Sequence, residues 1–143
     1  VLERGAIDSA MPGTRGINHL GLSVLDLNRS AAFFVEALGW LESGRDESYP
    51  RTAVSDGHLR ITLWQVDHRL VVEPFNRRKN VGLHHVALEV ESEERLHALA
   101  HSIASWPDVK IEFMPEPLGK GPRQHMMFFE PGGNRIELIW PGQ

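Results

Sequence analysis

The chain has 143 residues, 41% of them hydrophobic and 24% charged, with a formal net charge of -4. That is room for one domain with a real core, or for two small modules sharing one, in a globular protein. The absence of cysteine excludes disulfides, thiolate metal sites and a cysteine nucleophile and suits the cytoplasm; the acidic balance argues against a non-specific nucleic-acid binder, and no apolar run approaches the roughly 18 to 20 residues of a membrane span.

The first fifteen residues carry Glu3, Asp8 and Pro12 and no apolar h-region, so residues 1–15 read as an arm rather than a secretory signal. Gly16 to Val24 then alternates apolar and small or polar residues, the pattern of a strand with one buried face. A helix is expected over roughly Asn28 to Leu38, with Ala31, Phe34, Val35 and Leu38 on one face and Gly39 as its stop. Trp40 reads as packing. Strand-like segments follow, closing with the turn and strand from Ser55 to Trp64. A linker is expected over 69–81, and its short basic run Arg77-Arg78-Lys79 reads as a solvated loop.

Gly82 to Val90 then repeats the opening pattern. A shift of 66 residues lays His19 on His85, Leu22 on Leu88 and Val24 on Val90, which is the signature of an internal repeat. A second helix is expected over Glu93 to Ala104, with Ser92 as N-cap, two glutamates in its first turn, and Leu96, Leu99, Ala100 and Ile103 on one face. His97 and His101 lie off that face with no glutamate beside the first, so the zinc-protease helix motif fails. Trp106 to Pro122, with four prolines and two glycines, reads as turn or lid material. The chain closes on a turn at Glu130 to Asn134 and a strand ending near Ile139. The expected fold is α+β: a first β-α-β-β-β module over 16–68 and a second over 82–143, their sheets pairing around a common cavity.

Strand parity selects the side chains entering that cavity. If Leu20, Leu22 and Val24 pack under the first helix, His19 and Gly21 face away from it; likewise His85 faces the cavity, while His84 falls on the other side. Arg135, Glu137 and Ile139 face inward on the last strand, His125 and Met127 on the one before, and Arg60, Thr62 and Trp64 on the last strand of the first module. Two imidazoles and a carboxylate (His19, His85, Glu137) form a facial set that suits iron(II) and is compatible with manganese or zinc, with positions left open for a substrate bearing two adjacent oxygens. Glu137 is alternatively the partner of Arg135 or of an arginine across the cavity. His125 reads either as an acid or base or as a histidine bonded to solvent or backbone. Trp64 and Arg60 would give an aromatic wall and a cationic anchor for a planar or anionic substrate, or Trp64 is simply core.

The strings His19-Leu20-Gly21-Leu22, Phe33 to Trp40 and Phe129 to Leu138 resemble the vicinal oxygen chelate superfamily, which includes glyoxalase I, fosfomycin-resistance enzymes, bleomycin-binding proteins and extradiol dioxygenases. The resemblance covers about Arg15 to Pro141. It implies metal ligands at His19, Thr62, His85 and Glu137, and module pairing across a homodimer, so that His19 and the His85–Glu137 pair come from different chains. Thr62 departs from the carboxylate or amide of glyoxalase I-like enzymes, leaving three strong ligands. On ligand count the resemblance leans to an extradiol-type dioxygenase with one divalent metal per site, iron(II) favoured and manganese, zinc or nickel compatible. A glyoxalase I-like lyase or isomerase comes next, and a metal-free drug-binding protein is the reading from another class. The implied partner is a small molecule, with neither nucleic acid nor membrane.

Overall fold

The computed structural model describes residues 11–143; most of the expected N-terminal arm lies outside the described residues. Among the described residues eight strands form two four-stranded mixed sheets. In the first, β1 (Leu20–Val24) runs parallel to β4 (Arg60–Gln65), and β3 (Arg51–Ser55) and β2 (Leu41–Asp46) follow antiparallel. In the second, β5 (Val86–Glu89) runs parallel to β8 (Arg135–Trp140), with β7 (Gln124–Phe129) and β6 (Lys110–Pro117) antiparallel beyond it. No helix among the described residues is long and apolar enough to cross a membrane.

The two helices answer to their caps. In α1 (Leu27–Ala32) the Asp26 carboxylate accepts from the Arg29 N–H at 3.0 Å, and in α2 (Glu93–Ala104) the Ser92 hydroxyl accepts from the Arg95 N–H at 3.0 Å. Each cap satisfies a donor that the first helical turn leaves without a partner. The expected first helix stays α-helical only to Ala32 and continues as a π-helical turn over Phe33–Ala37, closed by Leu38 N–H donating to the Phe33 carbonyl. The wider turn lets the adjacent rings of Phe33 and Phe34 both be fully buried, which the 100° step of a regular α-helix opposes. Gly39, at φ 78°, then ends the helix as expected.

The stretch expected to be loop or lid between Trp106 and Pro122 contains β6, the longest strand. Two register irregularities, between Ile111 and Phe113 and between Phe113 and Glu116, absorb extra residues. Pro115 and Pro117 are tolerated because β6 is an edge strand, with no strand beyond it among the described residues.

The helix-facing sides of both sheets drain into one core. Leu22, Val24, Ile61 and Leu63 from the first module join Leu88, Phe128, Ile136 and Leu138 from the second, and the Phe33 ring lies 5.7 Å from Phe128 and 6.3 Å from Trp106. A polar latch crosses the same boundary. Glu130, 1% exposed, accepts from Ser30 Oγ of α1 and from Gly132 N, Asn134 N and Asn134 Nδ2 of its own turn, while Asn134 Nδ2 also reaches the Ser23 carbonyl. Because the helix faces are used inside the chain, the opposite faces, which carry the candidate site residues, look outward.

Candidate functional site

Strand parity places the residues of the second module's last two strands as expected. In β8 Ile136 and Leu138 are buried toward α2, and the register sets Met127 beside Glu137 and His125 beside Ile139 on the other face. There Glu137, 8% exposed, is held between two imidazoles: His85 Nε2 is 3.2 Å from its Oε1 and His125 Nδ1 is 2.6 Å from its Oε2. Met127, 7% exposed, and Phe113, whose ring meets His125 edge-on at 4.9 Å, wall this row. Arg135 takes no part in it. Its Nε and Nη2 each donate to a Glu112 oxygen at 2.8 Å, so the Glu137–Arg135 pairing is not formed.

His84 departs from its expected side. Strand β5 starts at Val86, so the alternation that would turn His84 away has not begun. Its Nδ1 meets His85 Nδ1 at 2.8 Å and Arg135 Nη1 at 3.3 Å. Desolvation, and then the positive charge of Arg135, hold His84 below the usual histidine range. The Nδ1–Nδ1 contact with His84 leaves the His85 Nε2 facing Glu137.

The donor set fits a divalent ion. Two ligands at right angles, each about 2.1 Å from a metal, stand about 3 Å apart, close to the observed His85–Glu137 spacing of 3.2 Å. His125 on the other carboxylate oxygen would be an outer hydrogen-bond partner for such an ion, leaving Oε1 on the His85 side. Within one chain the set stops there. Among the described residues no three His, Asp or Glu side chains converge so as to hold a metal, and His19, exposed just ahead of β1, bonds to Asn18 Oδ1 at 2.8 Å.

On the first sheet, Gly21 pairs with Thr62 and Ser23 with Trp64, so one face carries all four. The Thr62 hydroxyl donates to the Leu20 carbonyl at 3.4 Å and accepts from Trp64 Nε1 at 3.1 Å. Trp64 meets Tyr49 edge-on at 5.0 Å, with the Arg51 guanidinium 5.6 Å from its ring centre. These aromatics border a cavity of about 740 Å³ that also takes in Ser23 and His68. Arg60 is exposed at the other end of β4. Sequence reasoning missed Tyr49, Arg51, Glu112 and His84 as neighbours of the site, because each reaches it from a loop or across a strand pair.

A family model described as the Glyoxalase/Bleomycin resistance protein/Dioxygenase superfamily matches residues 16–138. Among solved structures the chain is similar to a glyoxylase/bleomycin resistance protein/dioxygenase domain from Frankia sp. EAN1pec, at 24% identity over 92% of this chain and 94% of that one, with a TM-score of 0.76. It is also similar to the fosfomycin resistance protein FosX from Listeria monocytogenes (21% identity, 89% and 93% covered, TM-score 0.68). A third likeness is to lactoylglutathione lyase from Agrobacterium tumefaciens (14% identity, 91% and 96% covered, TM-score 0.67). At these identities the likeness is one of fold. No curated protein sequence matches the chain.

Proposed function

The chain belongs to the glyoxalase/bleomycin resistance protein/dioxygenase superfamily, and on that premise we propose that it is a divalent-metal enzyme acting on a small substrate that chelates the ion through adjacent oxygens. The observation that carries this reading is the row His85–Glu137–His125, with a ligand-like spacing on one carboxylate oxygen and an orienting imidazole on the other. His85 Nε2 and Glu137 Oε1 would hold the ion. His19 of a second copy would complete the set across a two-fold homodimer, which the outward-facing site surfaces favour. Iron(II) is the preferred ion, with manganese, zinc or nickel compatible, and the cysteine-free chain suits the cytoplasm.

When bound, the ion supplies Lewis-acid polarisation of the substrate oxygens and, if iron, a path for electrons to dioxygen. The protein's own groups position and move protons. With the His125 Nδ1 proton donated to Glu137, Nε2 keeps a lone pair and has no protein hydrogen bond among those described. That nitrogen is the base for a substrate hydroxyl or for a carbon acid next to a carbonyl. Thr62 adds no charge. Its hydroxyl is bonded on both sides, so the carboxylate that a glyoxalase I-like proton transfer needs is missing and an extradiol-type dioxygenase ranks above it. Trp64, Arg60 and Met127 would shape the substrate side.

Metal analysis of untagged protein purified without chelator, alongside His19→Ala, His85→Ala and Glu137→Ala, tests this. Near-stoichiometric metal lost in all three variants is the expected result. A mixture of His19→Ala and Glu137→Ala chains should regain metal at one site in each mixed dimer. Wild-type protein that holds no metal and takes up none would refute the reading. The aromatic cluster of Trp64 and Tyr49 beside a cavity of about 740 Å³ supports a second reading, a small-molecule binding protein, which that refuting result would favour.

A further inference from the structure

A second cavity, of about 320 Å³, opens at His84, the chain neighbour of the candidate ligand His85, with Asn76, Arg77, His84 and Arg135 as its polar lining and Phe75 and Phe129 among its walls. It has more positive than negative charge. Arg135, whose side chain is only 9% exposed, spends Nε and Nη2 on the two oxygens of Glu112, and Arg77 Nη2 stands 3.9 Å from the same carboxylate. Two guanidinium groups therefore share one carboxylate. The Nη1 of Arg135, directed to His84 Nδ1 at 3.3 Å, keeps donor capacity for another acceptor.

Arg77 does not ride on a loose loop. Lys79 and Asn80 donate to the Asn76 carbonyl, Asn76 N–H donates to Asn80 Oδ1, and Arg78 N–H donates to Asn76 Oδ1, at 2.7 to 3.0 Å. This closed turn fixes the direction in which Arg77 leaves the chain. The Phe75 ring packs so closely on Gly82 that a Cβ there would lie 2.8 Å from Cε1, which ties the turn to the segment leading into His84 and His85. A preorganised pair of arginines with one counter-charge between them is a site for a planar or tetrahedral oxyanion.

We propose that Arg77 and Arg135 form an anion subsite that seats a carboxylate or phosphoryl head group of the substrate. Arg135 stands two residues before Glu137 on the same face of β8, a distance of about 7 Å along the strand, and His84 adjoins His85 in sequence. The substrate class is thus a small acid with its anionic group about 7 Å from the oxygens that face His85 and Glu137. This rests on the reading of that face as a substrate site and adds to it which molecules it accepts.

The test is titration of the purified protein with inorganic phosphate and, separately, acetate at constant ionic strength, following arginine Nε and Asn76 side-chain signals by NMR, with and without prior chelator treatment. Arg77→Gln should weaken binding about tenfold or more, Glu112→Gln should tighten it, and the tighter of the two anions names the head group. Arg77 is one-third exposed, so its replacement leaves the fold intact even if Glu112→Gln does not. No binding, binding unchanged in Arg77→Gln, or binding lost only after chelator treatment or in His85→Ala overturns the subsite; the last places the anion on the metal and leaves the proposed function standing. Arg77-dependent binding in protein that takes up no metal keeps the subsite and removes the metal reading.

Discussion

Replacing Glu130 by glutamine exchanges one oxygen for an amide nitrogen at a side chain that is 1% exposed. Oε1 accepts from Ser30 Oγ and Gly132 N, and Oε2 from the N and Nδ2 of Asn134, all at 2.8 to 3.0 Å. Turned toward Asn134 the new NH₂ meets two N–H donors, but turned toward Ser30 Oγ and Gly132 N it donates to the hydroxyl, which accepts as well as donates, so the better orientation loses one hydrogen bond, that of Gly132 N, in a buried place. At about 1.5 to 3 kcal/mol for a hydrogen bond to a charged acceptor, the variant should lose about 2 kcal/mol. For a domain of this size one kcal/mol is worth about 3 °C, so the melting temperature should fall by about 6 °C. Thermal unfolding by circular dichroism reads this directly. Ser30→Ala and the double variant complete a cycle, and because Ser30 supplies one of the four donors, the double variant should lose about 1 kcal/mol less than the sum. A fall below about 3 °C, or strict additivity, would refute the assignment of Glu130 as the tie between the two modules.

Gly132→Ala should destabilise by about 1 to 3 kcal/mol in urea unfolding, because its Cβ would lie 2.5 Å from Ser30 Oγ, 2.6 Å from Val24 Cβ and 2.7 Å from Glu130 Oε2; a midpoint equal to wild type would contradict this. His125→Gln should lower metal affinity by about 10- to 100-fold by freeing the Glu137 carboxylate to turn, and calorimetric titration with unchanged affinity would remove His125 from that role. The hydrogen bond from Arg135 holds Glu112 below the usual glutamate range against the opposing effect of desolvation. Its folded-state value is depressed, so its contribution is full above the unfolded value of about 4.3 and is lost as pH falls through the folded one. The stability advantage of wild type over Glu112→Gln should therefore be largest near neutral pH and shrink below about pH 4; an advantage that persists at lower pH would count against it. Ser92→Ala should cost about 1 kcal/mol by opening the cap on Arg95 N–H, seen as a lower melting temperature with α2 otherwise intact.

The sequence by itself determined the elements and their duplication. Period-two alternation around Leu22 and Leu88 and helical spacing along Leu96 to Ile103 are local signals, set by which face of an element must leave water, and the matching positions of His19 and His85 follow from the repeat. The same parity put His125, Met127 and Glu137 on one face of the second sheet, as the structure has it. It failed where residues sit outside a strand or where strand geometry breaks. His84 lies two residues ahead of β5, where alternation does not hold, and two of the prolines that read as loop between Trp106 and Pro122 are carried by a bulged edge strand. Tertiary structure alone decided the partners. That Glu137 pairs with two histidines while Arg135 goes to Glu112, that Arg77 from the linker shares that carboxylate, and that Glu130 bonds a helix 100 positions away in the chain are choices among several charges of either sign. Only the distances created by folding rank them, because an ion pair or hydrogen bond depends on separation and burial, which residue spacing along the chain does not encode.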